Sequence, residues 1–251
     1  MRDAFGLMKS VPFAVFILCS TLICIPLAYY YQYASGLLSQ TGFEEPAATM
    51  SLGQMSEIVF MLLIPFFFRR LGVKWMIIVG MGAWFARYVL FAFGAAELST
   101  WMLLLGVALH GICYDFFFVT GFMYTDQKAP ASVRGQAQSM LVFFTQGVGM
   151  FIGYEVAGRL FKQQMPSHDQ LSAAIAAARP ESTLGFFERF GKMFSRALPE
   201  NLDGELVTQT MLQWKEFWLI PAYMALAIMV LFAVAFWDRI DSEKALGEGA
   251  E

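Results

Sequence analysis

The chain has 251 residues, of which 58% are hydrophobic, 16% aromatic and only 15% charged, and its mean hydropathy is +0.55. Soluble domains carry about 25% charged residues, so a water-soluble domain is excluded and the composition is that of an integral membrane protein. The net charge of −3 decides little, because in such a protein the placement of charge matters more than its sum.

The N-terminal Met1–Lys9 is short and mixed in charge. The apolar run after it is too long for the core of a signal peptide and lacks a small-residue cleavage site, so no cleavable leader is expected. That run, Val11 to Ala34, is the first predicted membrane helix, with Pro26 inside it. A membrane helix needs about 20 apolar residues and tolerates a proline because neighbouring helices satisfy the freed backbone groups. A polar loop with Glu44 and Glu45 follows. The second span is Met50 to Phe68, interrupted by Gln54 and Glu57, and it ends on the basic turn Arg69-Arg70-Leu71-Gly72-Val73-Lys74. The third is Trp75 to Phe93, with Arg87 inside it. The fourth is Thr100 to Tyr124, with His110 and Asp115 in its middle. The fifth, Gln136 to Phe161, is rich in glycine, and Gly147, Gly149, Gly153 and Gly158 read as sites of close helix packing. A polar segment, 162–213, is predicted as a long extracytoplasmic loop; Ser182 to Phe190 within it is amphipathic enough to lie on the membrane surface. The sixth span is Trp214 to Trp237, and 238–251 is a polar tail.

Charge placement orients these six spans. Arg2 and Lys9 precede the first, Arg69, Arg70 and Lys74 lie between the second and third, Lys128 and Arg134 between the fourth and fifth, and Arg239 and Lys244 after the sixth. The short loops on the opposite side, 39–49 and 94–99, hold no Lys or Arg. The positive-inside rule therefore puts both termini in the cytoplasm. Arg179, Arg189, Lys192 and Arg196 in the long segment are the exception, in a loop too long to be a strong test of the rule.

An ionisable side chain deep in a span costs about 2.5–3.5 kcal/mol on insertion scales, and such a residue faces a bundle interior or a wet cavity. At about 1.5 Å of rise per residue, Glu57, Arg87, His110 and Asp115 fall at overlapping depths and can meet around one cavity. Gln54 and Glu57, three apart, share one helix face, and His110 and Tyr114, four apart, share another. Asp115 suits a proton carrier or an acceptor for a ligand hydroxyl, with a structural ion pair as the alternative. Glu57 is a ligand contact or the partner of Arg87. Arg87 itself reads as a structural charge that neutralises Glu57 or Asp115. His110 is divided evenly between ligand donor and packing residue, and Tyr114 suits stacking on a flat ligand. Tyr29, Tyr30, Tyr31 and Tyr33 read as an aromatic belt at the membrane interface. Cys19, Cys24 and Cys113 lie in apolar spans without metal-ligand spacing and read as core residues. No metalloprotease, serine hydrolase or phosphate-loop motif is present, so an enzyme is not expected, and nothing points to a metal, an organic cofactor or nucleic acid.

Six spans joined by short basic cytoplasmic turns resemble one half of a major facilitator transporter, itself a 3+3 inverted repeat. More narrowly, the chain resembles the C-terminal half of the nucleoside:proton symporter family. Three pieces carry this: Gln54-Met55-Ser56-Glu57-Ile58-Val59-Phe60 with Ile64-Pro65-Phe66-Phe67, then Ala83-Trp84-Phe85-Ala86-Arg87-Tyr88, and Gly111-Ile112-Cys113-Tyr114-Asp115-Phe116-Phe117 with Gly121. The resemblance implies nucleoside import coupled to protons across a bacterial inner membrane, with Gln54, Glu57, Tyr114 and Asp115 as ligand residues. Asp115 or Glu57 would carry the proton, the coupling ion in place of any cofactor. His110 stands where the family pattern leads us to expect an aromatic, and the tyrosine run of the first span departs from it too. A carrier of this superfamily binds solute between two halves. The partner expected besides lipid and solute is therefore an N-terminal six-helix half or a second copy of this chain. The rivals are a carrier of another polar metabolite, such as a sugar, and a non-transporting half-protein.

Overall fold

A computed structural model describes residues 4–179 and 184–238. Arg2, Ser182, Thr183, Arg239 and Lys244, which entered the sequence reading, lie outside the described residues, as does the tail beyond Asp238. Among the described residues five helices are long and apolar enough to cross a membrane: Val11–Gln40, Pro46–Ala96, Thr100–Lys128, Ala131–Gln164 and Gly204–Ala235. Side chains as large as Leu62 (78% exposed), Val234 (74%) and Phe151 (68%) point outward. A soluble protein would not tolerate that much outward apolar surface, and a bilayer requires it. The chain is an integral membrane protein with an all-helical fold.

The 51-residue helix Pro46–Ala96 is not one rod. Gly72 has φ 65° and ψ 177°, outside the helical region, a conformation that glycine adopts without steric cost. It therefore divides into α2 (46–71) and α3 (73–96). With α1 as Val11–Gln40, the remaining elements are α4 (Thr100–Lys128), α5 (Ala131–Gln164), α6 (His168–Ala178), α7 (Phe186–Gly191) and α8 (Gly204–Ala235). Proline in the first turn opens α1 and α2, where its missing N–H costs nothing. Asp203 caps α8 by accepting a hydrogen bond from the Glu205 N–H at 2.9 Å.

One end of the bundle gathers the start of α1 and the ends of α4 and α8. Tyr124 stacks on Phe13 (centroids 6.1 Å apart) and sits edge-on to Phe236 (5.5 Å), while Asp238 accepts from the Tyr124 hydroxyl at 2.8 Å and pairs with Lys128 at 2.7 Å. In the middle, Tyr88, Trp218 and Trp214 stack in series and are fully buried. The Tyr88 hydroxyl ties α3 to α1 by donating to the carbonyl of Pro26 at 2.8 Å. Among the four glycines of α5 read as packing sites, Gly149 and Gly153 are the ones pressed on α1: a Cβ there would meet the Thr21 carbonyl oxygen at 2.5 Å and the Ala28 Cβ at 2.7 Å. Gly147 and Gly158 have room, so close packing accounts for two of the four.

The segment expected to be a loop is a folded cap. It holds α6 and α7, and α8 begins at Gly204 rather than near Trp214. Its basic residues have local partners at the opposite end of the bundle. Arg179 donates to the carbonyls of Gly42, Phe43 and Ala197. Arg196 donates to Thr41 and Leu98 carbonyls and to the Thr100 hydroxyl. Lys192 pairs with Glu44 at 2.8 Å and Arg189 with Glu45 at 3.4 Å. The Glu44 carboxylate holds the Lys192 ammonium above its ordinary pKa. These cations answer two acids and a row of loop carbonyls.

Candidate functional site

The site begins where α2 crosses α4. A Cβ on Gly111 would lie 2.5 Å from the Ser56 carbonyl carbon and 2.6 Å from the Glu57 nitrogen, and one on Gly53 would lie 3.0 Å from the His110 Cβ. Only small residues permit this approach. The Ser56 hydroxyl donates to the Gly53 carbonyl at 2.7 Å and accepts from the Gly111 N–H at 3.0 Å, fixing the register. The crossing puts Glu57 and His110 side by side, with Nε2 of the ring 3.7 Å from the carboxylate.

His110 is 4% exposed and the centre of an aromatic nest. Tyr30 stacks on it (5.4 Å, 20°), Tyr31 meets it edge-on (6.4 Å, 83°) and Tyr114 is tilted against it at 5.9 Å. Behind it the fully buried Arg87 lays its guanidinium over the Tyr30 ring at 4.1 Å and reaches Nδ1 of His110 at 3.2 Å. The expected pairing of Arg87 with Glu57 or Asp115 is therefore not what the structure shows. Among the described residues no carboxylate lies within ion-pair distance of it, and its Nε and Nη1 have no hydrogen-bond partner. The physical reason is the side chain of His110, which stands between the arginine and Glu57.

Glu57 is partly open (23% of its side chain) and Gln54, one turn back, is exposed. Both lie on the face of α2 that also presents Ile58 and Met61 outward. Asp115 is different. It is fully buried, neither carboxylate oxygen has a partner among the described residues, and it opens a π-helical turn, Asp115–Val119. Such turns inside α-helices occur often at functional sites. Gly80 of α3 packs against that turn, where a Cβ would meet the Phe117 nitrogen at 3.0 Å. The structure thus brings Glu57, His110, Arg87 and Tyr114 into one chain of contacts, with Gln54 on its rim, and leaves Asp115 buried apart from those contacts. Among the described residues no group of three or more His, Cys, Asp or Glu could hold a metal ion.

Tyr30 and Tyr31 were not expected here. Tyr29 and Tyr30 are 0% and 1% exposed, so these two are core residues and not an interface belt. The sequence offers no signal for this, because a tyrosine run near the end of a span has the same composition in either role. Gly53, Ser56 and Gly111 were missed as well, although small residues three apart facing a glycine are a recognisable crossing pattern.

A family model described as "Nucleoside H+ symporter" matches residues 1–178. The chain belongs to the nucleoside H+ symporter family. Among curated relatives it is similar to the putative nucleoside transporter YegT of Escherichia coli (strain K12), 42% identical over 170 residues, which is 65% of this chain and 40% of the relative. It is similar also to the nucleoside permease NupG of the same organism (30% over 169 residues, 63% of this chain and 40% of the relative) and to its xanthosine permease (30% over 167 residues, 62% and 40%). Among solved structures the fold is like that of the nucleoside transporter NupG in a variant with one Asp→Ala substitution. The TM-score is 0.69 at 24% identity, over 94% of this chain and 51% of that one. The chain spans about two-fifths of the length of the curated relatives it matches and about half of the solved one.

Proposed function

We propose that this chain supplies the C-terminal six-helix half of a major facilitator carrier that imports nucleosides by proton symport with alternating access. The observation that carries the reading is the contact chain of Glu57, His110 and Tyr114, with exposed Gln54 on its rim, on a family member's helices α2 and α4. In this reading α2 and α3, divided at Gly72, are two crossings, which with the four other long helices makes six, arranged as a 3+3 inverted repeat. Gln54 and Glu57 hydrogen-bond the ribose hydroxyls or the base, Tyr114 stacks on the base and His110 closes the floor. Asp115 or Glu57 carries the proton; the fully buried, unpartnered carboxylate of Asp115 favours it for that task. The protein acts as a carrier and not as an enzyme. It lies in a bacterial inner membrane with both termini in the cytoplasm, the basic turns Arg69-Arg70 and Lys128–Arg134 marking that side.

The other half is a second six-helix bundle, either an N-terminal half or another copy of this chain. Support comes from α5, whose outer part carries Glu155 and Arg159 as a 3.5 Å pair, 59% and 79% exposed, beside Gln32 and Lys162 around a cavity of about 390 Å³. Charges on a membrane-spanning helix do not face lipid; protein or water covers them.

Uptake of labelled uridine and adenosine by transporter-deficient cells expressing the chain, with and without a proton uncoupler, tests the proposal. Uptake that collapses with the uncoupler supports it. Uptake indifferent to the uncoupler removes proton coupling, and no uptake with the protein confirmed in the membrane, alone or with a co-expressed N-terminal half of a relative, removes nucleoside transport.

A further inference from the structure

Arg87 is fully buried, and among the described residues no acid lies within ion-pair distance of it. What it has is the π face of Tyr30 and one nitrogen of His110. A guanidinium carries only donors. The His110 Nδ1 at 3.2 Å must therefore accept, so it bears no hydrogen. A doubly protonated ring would set N–H against N–H at that distance. The ring is accordingly neutral with its single hydrogen on Nε2, the nitrogen that faces the Glu57 carboxylate at 3.7 Å.

We infer that Arg87 fixes His110 as the Nε2–H tautomer and that this N–H, facing the Glu57 carboxylate at 3.7 Å as an electrostatic contact longer than a hydrogen bond, orients that carboxylate, making His110 a positioning residue for Glu57. The solute-affinity part rests on the reading of Glu57 as a ligand contact. The ring has little freedom to do otherwise. Tyr30 covers one face, Tyr31 and Tyr114 flank it, and Gly53 backs its Cβ so closely that a methyl group there would collide. The arrangement also accounts for the buried cation. Its counter-charge is Glu57, one imidazole away, so the carboxylate stays partly open to solute instead of being consumed in a direct ion pair. Gln54, three residues before Glu57, is left to meet the solute unassisted.

The test uses the full chain in lipid nanodiscs with ¹⁵N-labelled histidine. The sequence has two histidines, and His168→Gln leaves His110 as the single signal source. The expected spectrum at neutral pH has Nδ1 in the unprotonated range and Nε2 in the N–H range, and Glu57→Gln moves the Nε2 resonance. An Nδ1–H tautomer, a doubly protonated ring, an averaged pair, or an Nε2 resonance indifferent to Glu57→Gln overturns the inference. In binding of labelled uridine, His110→Gln, whose amide N–H can replace the Nε2 donor, stays within about twofold of wild type, while His110→Phe, which keeps the stack but presents no N–H to Glu57, weakens affinity by about fivefold, less than a full charged hydrogen bond because the contact is longer than one. Equal affinity of the Phe and Gln variants, at equal membrane yield, overturns the positioning role. Wild-type protein that shows the expected tautomer but binds no nucleoside sinks the transport reading and leaves the tautomer lock standing.

Discussion

The crossing of α2 over α4 sets the whole site, and Gly111 is the position to perturb. In Gly111→Ala the new Cβ would sit 2.5 Å from the Ser56 carbonyl carbon and 2.6 Å from the Glu57 nitrogen, against 3.4–4 Å for an ordinary contact. Both clashing atoms are backbone, so no side chain can turn away. The helices must part by roughly 1 Å, the kind of overpacking that costs about 1–3 kcal/mol. For a chain of this size each kcal/mol lowers Tm by about 2–4 °C, so the expected fall is about 2–12 °C. The separation also lengthens the 3.7 Å approach of His110 to Glu57 and the 3.0 Å hydrogen bond from the Gly111 N–H to Ser56. Thermal unfolding of the purified variant in detergent reads the first effect, and equilibrium binding of labelled uridine reads the second, with a loss of about fivefold or more as Glu57 and His110 move apart. A Gly111→Ala variant with wild-type Tm and wild-type affinity would refute the reasoning. It would mean that the close approach does not set the site.

Three further outcomes follow from the same contacts. Asp115→Asn should abolish uptake while leaving membrane yield unchanged, since the carboxylate makes no hydrogen bond that the fold depends on; wild-type uptake rates would remove it from the mechanism. Arg87→Ala should cut folded yield, measured by size-exclusion of solubilised membranes, because it opens a cavity under Tyr30 and leaves His110 without its donor. Normal yield would remove its part in holding the fold, whatever happens to binding. Arg196→Ala removes hydrogen bonds to Thr41, Leu98 and Thr100, each charge-assisted bond being worth about 1.5–3 kcal/mol. A thermal shift assay should show a loss of about 10 °C or more at unchanged solute affinity, and a lost affinity at unchanged Tm would make the cap part of the binding site.

Much of this was legible in the sequence because membranes simplify the problem. Apolar runs of about 20 residues report helices directly, and a charge inside such a run reports a site. Glu57, Arg87 and His110 were singled out that way and lie in one chain of contacts, and Gln54–Phe60 was one of the three pieces that carried the family resemblance. What stayed hidden depends on azimuth. Hydropathy gives depth along a span but not which way a side chain turns, so Tyr30 read as belt and sits under Arg87, and Arg87 read as the mate of a carboxylate and meets an imidazole. A surface helix near Phe186–Phe190 was legible in the cap, but what holds the cap was not. Residues 184–203 have few apolar runs, and what organises them is cations donating to the carbonyls of distant loops, as Arg196 does to Thr41 and Leu98. Backbone carbonyls are present at every position and leave no trace in a sequence.

The central claim is that the half-open face carrying Gln54 and Glu57 is the solute site. Saturable binding of labelled uridine to the purified chain in nanodiscs, compared between wild type and Glu57→Gln at equal folded yield, tests it most directly. The account predicts saturable binding by wild type that falls by about tenfold or more in the variant, as expected for a lost charge-assisted hydrogen bond. Identical binding curves for the two proteins would contradict it.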